Sequence, residues 1–188
     1  TSDNGGAGNN YKGHRPNGPL RGGKGCLTEG GHRVALLARW PEKIEAGQIT
    51  KETVSTTDML ATFAAIVGKG LPEGAGPDSY NVLPALIGEK LPDPERPVVL
   101  SSGATGALSI RMGKWKLRVG GAPRKNRKTG KLARRQAPEL YNLEEDIAES
   151  NNLASAHPEI VERLTRVIDA YDGDLKANAR PAWKAGSK

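Results

Sequence analysis

The stretch Leu20 to Arg33, LRGGKGCLTEGGHR, restricts this chain more than any other, because glycine recurs at 22, 23, 25, 30 and 31 just before an apolar run. A backbone so bare of side chains enters turns that other residues disfavour, or approaches another group closely, and loses conformational entropy on folding. Lys24 stands between two of these glycines. On the residues alone two readings of its ammonium stay open: an exposed loop charge, or a point charge facing phosphate- or sulfate-like oxygens. A nucleotide loop is excluded, since neither GxxxxGK[ST] nor a strand–GxGxxG–helix setting occurs.

The 188 residues suffice for one sizeable core, or a core with a small satellite layer. The net charge of +7 suits an acidic partner, but it is unevenly spread. Residues 111–135 are strongly basic, whereas 138–159 are mostly acidic. That separation, the scarcity of aromatics to stack on bases, and the lack of any helix-turn-helix, finger or RNP-like pattern argue against nucleic acid. The single cysteine, Cys26, excludes an intrachain disulfide framework and any multi-cysteine metal site. No run of 18 apolar residues is present, so membrane insertion is not expected, and no basic start followed by an apolar stretch marks a signal peptide. The sequence opens on TSDNGG without methionine and reads as a segment of something longer.

Residues 1–10 form a Gly/Asn/Asp loop. Within it Asp3 and Asn4 place a carboxylate beside an amide oxygen, a pairing that calcium or magnesium accepts, although on these two residues alone a simple Asx turn is the preferred reading. His14 and Arg15 are expected to be exposed. Val34 to Trp40, VALLARW, has the length and near-continuous hydrophobicity of a strand covered on both faces. Residues 44–53 read as a polar linker turning at Ala46-Gly47.

Leu60, Phe63, Ala64 and Val67 share one face of a helix expected over 57–67, capped by Thr56 or Thr57 and followed by Gly68. Asp58 in its first turn suits the positive helix end, a structural role preferred here to catalysis. Residues 82–87 make a short helical turn. Beyond a proline-rich connection, strands are expected at 98–101, 107–111 and 115–119, the last two joined as a hairpin through Met112-Gly113-Lys114. Trp115 and Leu117 would face a core while Lys114, Lys116 and Arg118 face water. Residues 120–137 are a basic loop, 139–143 another strand, and Ile160, Val161, Leu164, Val167, Ile168 and Tyr171 one face of a final helix with Pro158 in its first turn. Residues 172–188 read as frayed.

In order along most of the chain, these pieces resemble the C-terminal part of a type I, formylglycine-dependent sulfatase of the arylsulfatase family, within the alkaline-phosphatase-like superfamily. The resemblance rests on TSDNGG at Thr1, on N-G-P-LRGGKG-x-x-x-EGG-x-RV at Asn17 to Val34, and on RWP at Arg39 to Pro41. It continues through TTD at Thr56 to Asp58, IR-x-GKWKL at Ile110 to Leu117, ELYNLEED, and E-x-NNLA at Glu149 to Ala154. It implies an α/β fold: residues 1–90 would be the C-terminal part of the catalytic α/β domain, 91–175 a small antiparallel sheet with a C-terminal helix (α+β), and 176–188 a flexible tail.

The resemblance also implies a hydrolase of sulfate monoesters carrying calcium, or magnesium, and a formylglycine nucleophile. Asp3 and Asn4 then fall on metal ligands and Lys24 on the sulfate contact. His32 borders the pocket, as a substrate contact or as an exposed histidine hydrogen-bonded locally. The substrate would be a sulfated small molecule or carbohydrate, and the location periplasmic or secreted. The family's nucleophile motif, C-x-P-S-R, is absent, and Cys26, followed by Leu27-Thr28-Glu29, does not match it. The chain is therefore expected to be inactive alone. A metal-dependent phosphomonoesterase or phosphonate hydrolase of the same superfamily, and a non-catalytic carbohydrate-binding module, are the alternatives.

Overall fold

The computed structural model describes residues 1–8, 13–101, 107–120 and 137–179. The basic stretch 121–136, whose charge dominates the sequence, and the terminal residues 180–188 lie outside them.

Four strands, β1 (Val98–Ser101), β2 (Leu108–Met112), β3 (Trp115–Val119) and β4 (Glu139–Asn142), form one sheet in the order β1-β2-β3-β4, antiparallel throughout. The β2–β3 hairpin closes between the paired Met112 and Trp115, with Gly113 at φ 53°. A positive φ at the first loop position is what a tight II′ hairpin turn needs, and glycine adopts it without steric cost. The strands expected beyond the proline-rich connection, and the hairpin, are therefore present.

Register aligns Val99, Ile110, Leu117 and Leu140 in one cross-sheet row. That row faces α4 (Pro158–Ala177), whose Leu164 and Ile168 complete a sealed core with Ile110, Leu117 and Leu140. Each such side chain contributes about 1.5–3 kcal/mol by leaving water. Pro158 opens the helix, where its missing N–H costs nothing. The helix does not fray at residue 172 as expected. Lys176 pairs with Asp172 one turn back, and the Asn178 side chain donates to the Asp174 carbonyl and carboxylate, so the last turn is held locally.

The opposite face of the sheet is polar, aligning Arg111, Lys116 and Tyr141. It packs on the glycine-rich segment, where α1 (Glu29–His32) makes a single turn. The expectation that Lys116 faces water fails here: it is 1% exposed, because the glycine segment through Glu29 and the segment after β4 through Glu149 each bring a carboxylate to a face that alternation alone assigned to solvent.

Val34 to Trp40 is not a strand. It pairs with no strand among the described residues, and Leu36 and Leu37 are exposed rather than covered. The helix expected over 57–67 is a 3₁₀ turn at Thr56–Asp58 followed by α2 (Met59–Ile66). Its cap is Ser55 rather than a threonine, in a reciprocal box with Asp58. The 82–87 turn is α3 (Leu83–Leu86), and Val82 and Ala85 are buried with Leu91.

Candidate functional site

Two glycine-bearing segments are laced together by their backbones. The Gly5 N–H donates to the Gly31 carbonyl at 2.8 Å and the Lys24 N–H to the Gly6 carbonyl at 2.9 Å, while within the second segment the Gly30 N–H donates to the Arg21 carbonyl at 2.8 Å. Asn17 fastens the same junction, with its amide oxygen taking the Gly6 N–H at 2.9 Å and its amide nitrogen donating to the carbonyls of Gly6 and Gly22. Contact is so close that a Cβ on Gly5 would lie 1.9 Å from the Gly30 oxygen, and one on Gly31 2.0 Å from the Cys26 oxygen. Glycine at these two positions answers to close approach rather than to a turn.

The lacing sets the Asp3–Asn4 segment beside the Lys24 segment. Asp3 is exposed and Asn4 half-buried, and Ser2 Oγ donates to the Asp3 carboxylate and the Asn4 carbonyl. Lys24 is exposed, as is Cys26. Among the described residues no cation forms an ion pair with Asp3, and no cluster of three or more His, Cys, Asp or Glu side chains gathers to hold a metal. Exposed His14 and Arg15 match the reading of that loop.

His32 is tied inward. Its Nε2 lies 3.3 Å from the Leu27 carbonyl, 3.1 Å from Lys116 Nζ and 3.6 Å from Glu29 Oε1. Burial, and next the Lys116 ammonium, push its pKa down to about 4, against the opposing pull of Glu29 and the Leu27 carbonyl, so the ring is neutral near pH 7. The local hydrogen bond expected as the alternative for His32 is present, to the Leu27 carbonyl, but the expected exposure is not: the ring is turned inward and mostly buried.

Behind this surface sits a charge cluster. Lys116 Nζ donates to Glu29 Oε1 at 2.8 Å and lies 3.0 Å from Glu149 Oε1. Glu149 Oε2 in turn accepts the Glu29 N–H at 2.6 Å, capping α1 from 120 positions away along the chain. Arg33 pairs with the other Glu29 oxygen at 3.2 Å. Burial raises the Glu29 pKa, but Lys116, His32 and Arg111 more than offset it and hold the carboxyl below its ordinary range. Sequence reading missed Glu29, Lys116 and Glu149 as a group. The available signal was their presence in the EGG, GKWKL and E-x-NNLA motifs. A cavity of about 260 Å³ opens beside this cluster, with Asp3, Glu29, His32 and Arg111 among its walls.

Comparison with known proteins identifies the family. The sulfatase family profile matches residues 1–69. The chain is 34% identical over 160 residues to an N-acetylgalactosamine-6-O-sulfatase of Bacteroides thetaiotaomicron, an alignment covering 84% of this chain and 31% of that protein. It is 32% identical over 167 residues to human arylsulfatase A, covering 80% and 32%. A crystal structure of Ps i-CgsB in complex with k-i-k-neocarrahexaose superposes with a TM-score of 0.75 at 30% identity, over 97% of this chain and 37% of that one. The chain belongs to the sulfatase family. It spans about a third of the length of these relatives.

Proposed function

We propose that this chain carries the part of a sulfate monoester hydrolase that holds a divalent cation and the sulfate group, and that the ester belongs to a sulfated carbohydrate. The observation that carries the reading is the Lys24 N–H to Gly6 carbonyl bond, which joins the lysine segment to the segment of Asp3 and Asn4. Support for the substrate class comes from two matched proteins: one is named for N-acetylgalactosamine-6-O-sulfate chemistry, and one was crystallised with an oligosaccharide.

Asp3 and Asn4 fit a hard cation. They are adjacent oxygen donors, and no described cation competes for Asp3 in an ion pair. They would hold calcium, or magnesium, as two of the six to eight ligands that calcium takes, so the chain by itself should bind it weakly. The bound ion would supply Lewis-acid polarisation of a sulfuryl oxygen. Lys24 would place its ammonium against a second sulfuryl oxygen, where a fixed charge favours the charge that grows as the ester bond breaks. Glycine on both sides keeps side chains out of that approach. His32, neutral and held by Leu27 and Lys116, would border the group without supplying a charge.

The test is titration of the isotopically labelled chain with calcium and with inorganic sulfate, following the amide resonances of Asp3, Asn4 and Lys24. Saturable shifts at all three are expected, with Asp3→Ala removing the response to calcium and Lys24→Ala the response to sulfate. Wild-type resonances that stay still in both titrations would refute the reading. Aryl sulfate hydrolysis by the chain alone would refute the expectation that its nucleophile lies elsewhere.

A further inference from the structure

We infer that Lys116 and Glu149 are positioning residues of the candidate site, holding the Glu29–Gly31 turn so that Asp3–Asn4 and Lys24 keep their spacing. The inference rests on the site reading above for its functional meaning, but its physical content is independent of it.

Glu149 is the pivot. It is buried, and it is the described non-glycine residue with a positive φ, 54°. That conformation is costly for a residue with a long side chain and persists where surrounding contacts over-determine it. Those contacts diverge from one residue. The carboxylate takes the Glu29 N–H at 2.6 Å and faces Lys116 Nζ at 3.0 Å, while the main-chain carbonyl takes Arg21 Nη1 at 3.1 Å. Arg21 and Glu29 flank the Lys24 loop, so Glu149 grips both of its ends.

From the gripped turn the path to the site is short. Gly30 N–H holds the Arg21 carbonyl, Gly31 carbonyl holds the Gly5 N–H next to Asn4, and Lys24 N–H holds Gly6. Each link is a backbone bond, and apart from the single turn of α1 the residues it joins lack regular structure of their own. Their relative position is therefore set from outside, by strand β3 through Lys116 and by the segment after β4 through Glu149.

Charge explains why this position is specified rather than merely filled. A buried ion cluster gains little net stability over a well-packed apolar one, because desolvation offsets the Coulomb attraction. What it adds is direction: Lys116 can satisfy Glu29 and Glu149 together only when α1 sits at one depth over the sheet. An apolar contact would tolerate sliding.

Amide hydrogen exchange on the 188-residue chain tests this. Lys116→Met alone would leave two buried carboxylates facing each other and risks failing to fold. The informative variants are Glu149→Gln, which keeps an acceptor for the Glu29 N–H, and Lys116→Met combined with Glu149→Gln, which leaves Glu29 paired with Arg33. In both, exchange at Gly5, Lys24 and Gly30 should quicken by about tenfold or more while Ile110 and Leu117 in the sheet stay within about twofold, the mark of a local rather than a global opening. A core variant, Ile168→Val, should instead raise both groups together. Parallel acceleration of loop and sheet in the charge variants would reduce the cluster to a structural tie and overturn the inference. Unchanged loop exchange would overturn it too. Sulfate and calcium are absent from this measurement, so failure of the site reading, seen as immobile wild-type resonances in the titrations, is distinguishable from failure of the positioning claim.

Discussion

Both terminal guanidinium nitrogens of Arg96 donate to the Asp58 carboxylate, and the pair is closed off from solvent. Asp58 also accepts the Ser55 and Tyr80 N–H groups, Arg96 donates to the Thr53 carbonyl, and the Tyr80 ring lies 4.8 Å below the guanidinium. The aspartate thus joins the start of α2 to the proline-rich connector that leads into the sheet. Removing one partner of a buried, directed pair costs about 3–5 kcal/mol, because the other charge is left unpaired. Asp58→Ala should lower stability by that amount, and Asp58→Asn, which still accepts hydrogen bonds, by less. Urea midpoints for the two variants and the wild-type chain give the comparison, and equal losses would assign the effect to packing.

A second prediction follows from His32. Its folded pKa of about 4 lies below the value near 6.5 expected when the chain is unfolded. Between those values the unfolded state binds the extra proton, so this contribution is complete above about pH 6.5 and declines as the pH falls towards 4. The full span amounts to about 3 kcal/mol at most. Glu29 shifts in the direction that also weakens the fold in acid, but in a lower window, below its ordinary carboxyl range. Stability measured in urea at pH 7, 5.5 and 4.5 should therefore fall for the wild type across the whole range, and His32→Gln should flatten the part above pH 5. An unchanged slope in the variant would remove His32 as the titrating group.

The parts of the fold that local pattern controls were legible in the sequence, and those that depend on distant partners were not. Alternation in Leu108–Met112 and Trp115–Val119, the glycine between them and the apolar stripe of α4 each encode their own structure. Lys116 was misread because alternation reports which face a residue occupies and not what covers that face, and its partners come from 87 positions upstream and from Glu149. Val34 to Trp40 was misread for the complementary reason: hydrophobicity suits it to a covered strand, but among the described residues no strand pairs with it and Leu36 and Leu37 lie uncovered. For the candidate site, the motifs nominated Asp3, Asn4 and Lys24, and the backbone bonds through Gly5, Gly6 and Gly31 that set their segments side by side carry no pattern in the sequence.

Exposed apolar side chains give a third prediction. Leu37 is 83% exposed and Phe63 59%, with Ile49 and Val67 similarly open. Apolar surface of this kind favours association and dye binding. Leu37→Ser together with Phe63→Ser should reduce light scattering at high concentration and the fluorescence of a hydrophobic dye. Stability should change by no more than about 0.5 kcal/mol per site, as for surface substitutions that break no specific feature. Undiminished scattering would place the sticky surface elsewhere.

The glycines of the Lys24 segment separate two physical causes that the sequence presents alike. Gly25 has φ 86° and open space where a Cβ would sit, so Gly25→Ala meets backbone strain alone, about 1–2 kcal/mol. Gly31 has an ordinary φ, but its Cβ would lie 2.0 Å from the Cys26 carbonyl oxygen, and no rotamer relieves a clash with backbone. Gly31→Ala must push α1 away from the loop, at an overpacking cost of about 1–3 kcal/mol or more. The energies overlap, so the decisive readout is local. Because the Gly31 carbonyl holds the Gly5 N–H, Gly31→Ala should shift the amide resonances of Asn4 and Gly5 and weaken the sulfate and calcium responses, while Gly25→Ala should leave Asn4 and Gly5 in place. Matching spectra for the two variants at those amides would mean that close packing between the segments does not set the position of Asp3 and Asn4.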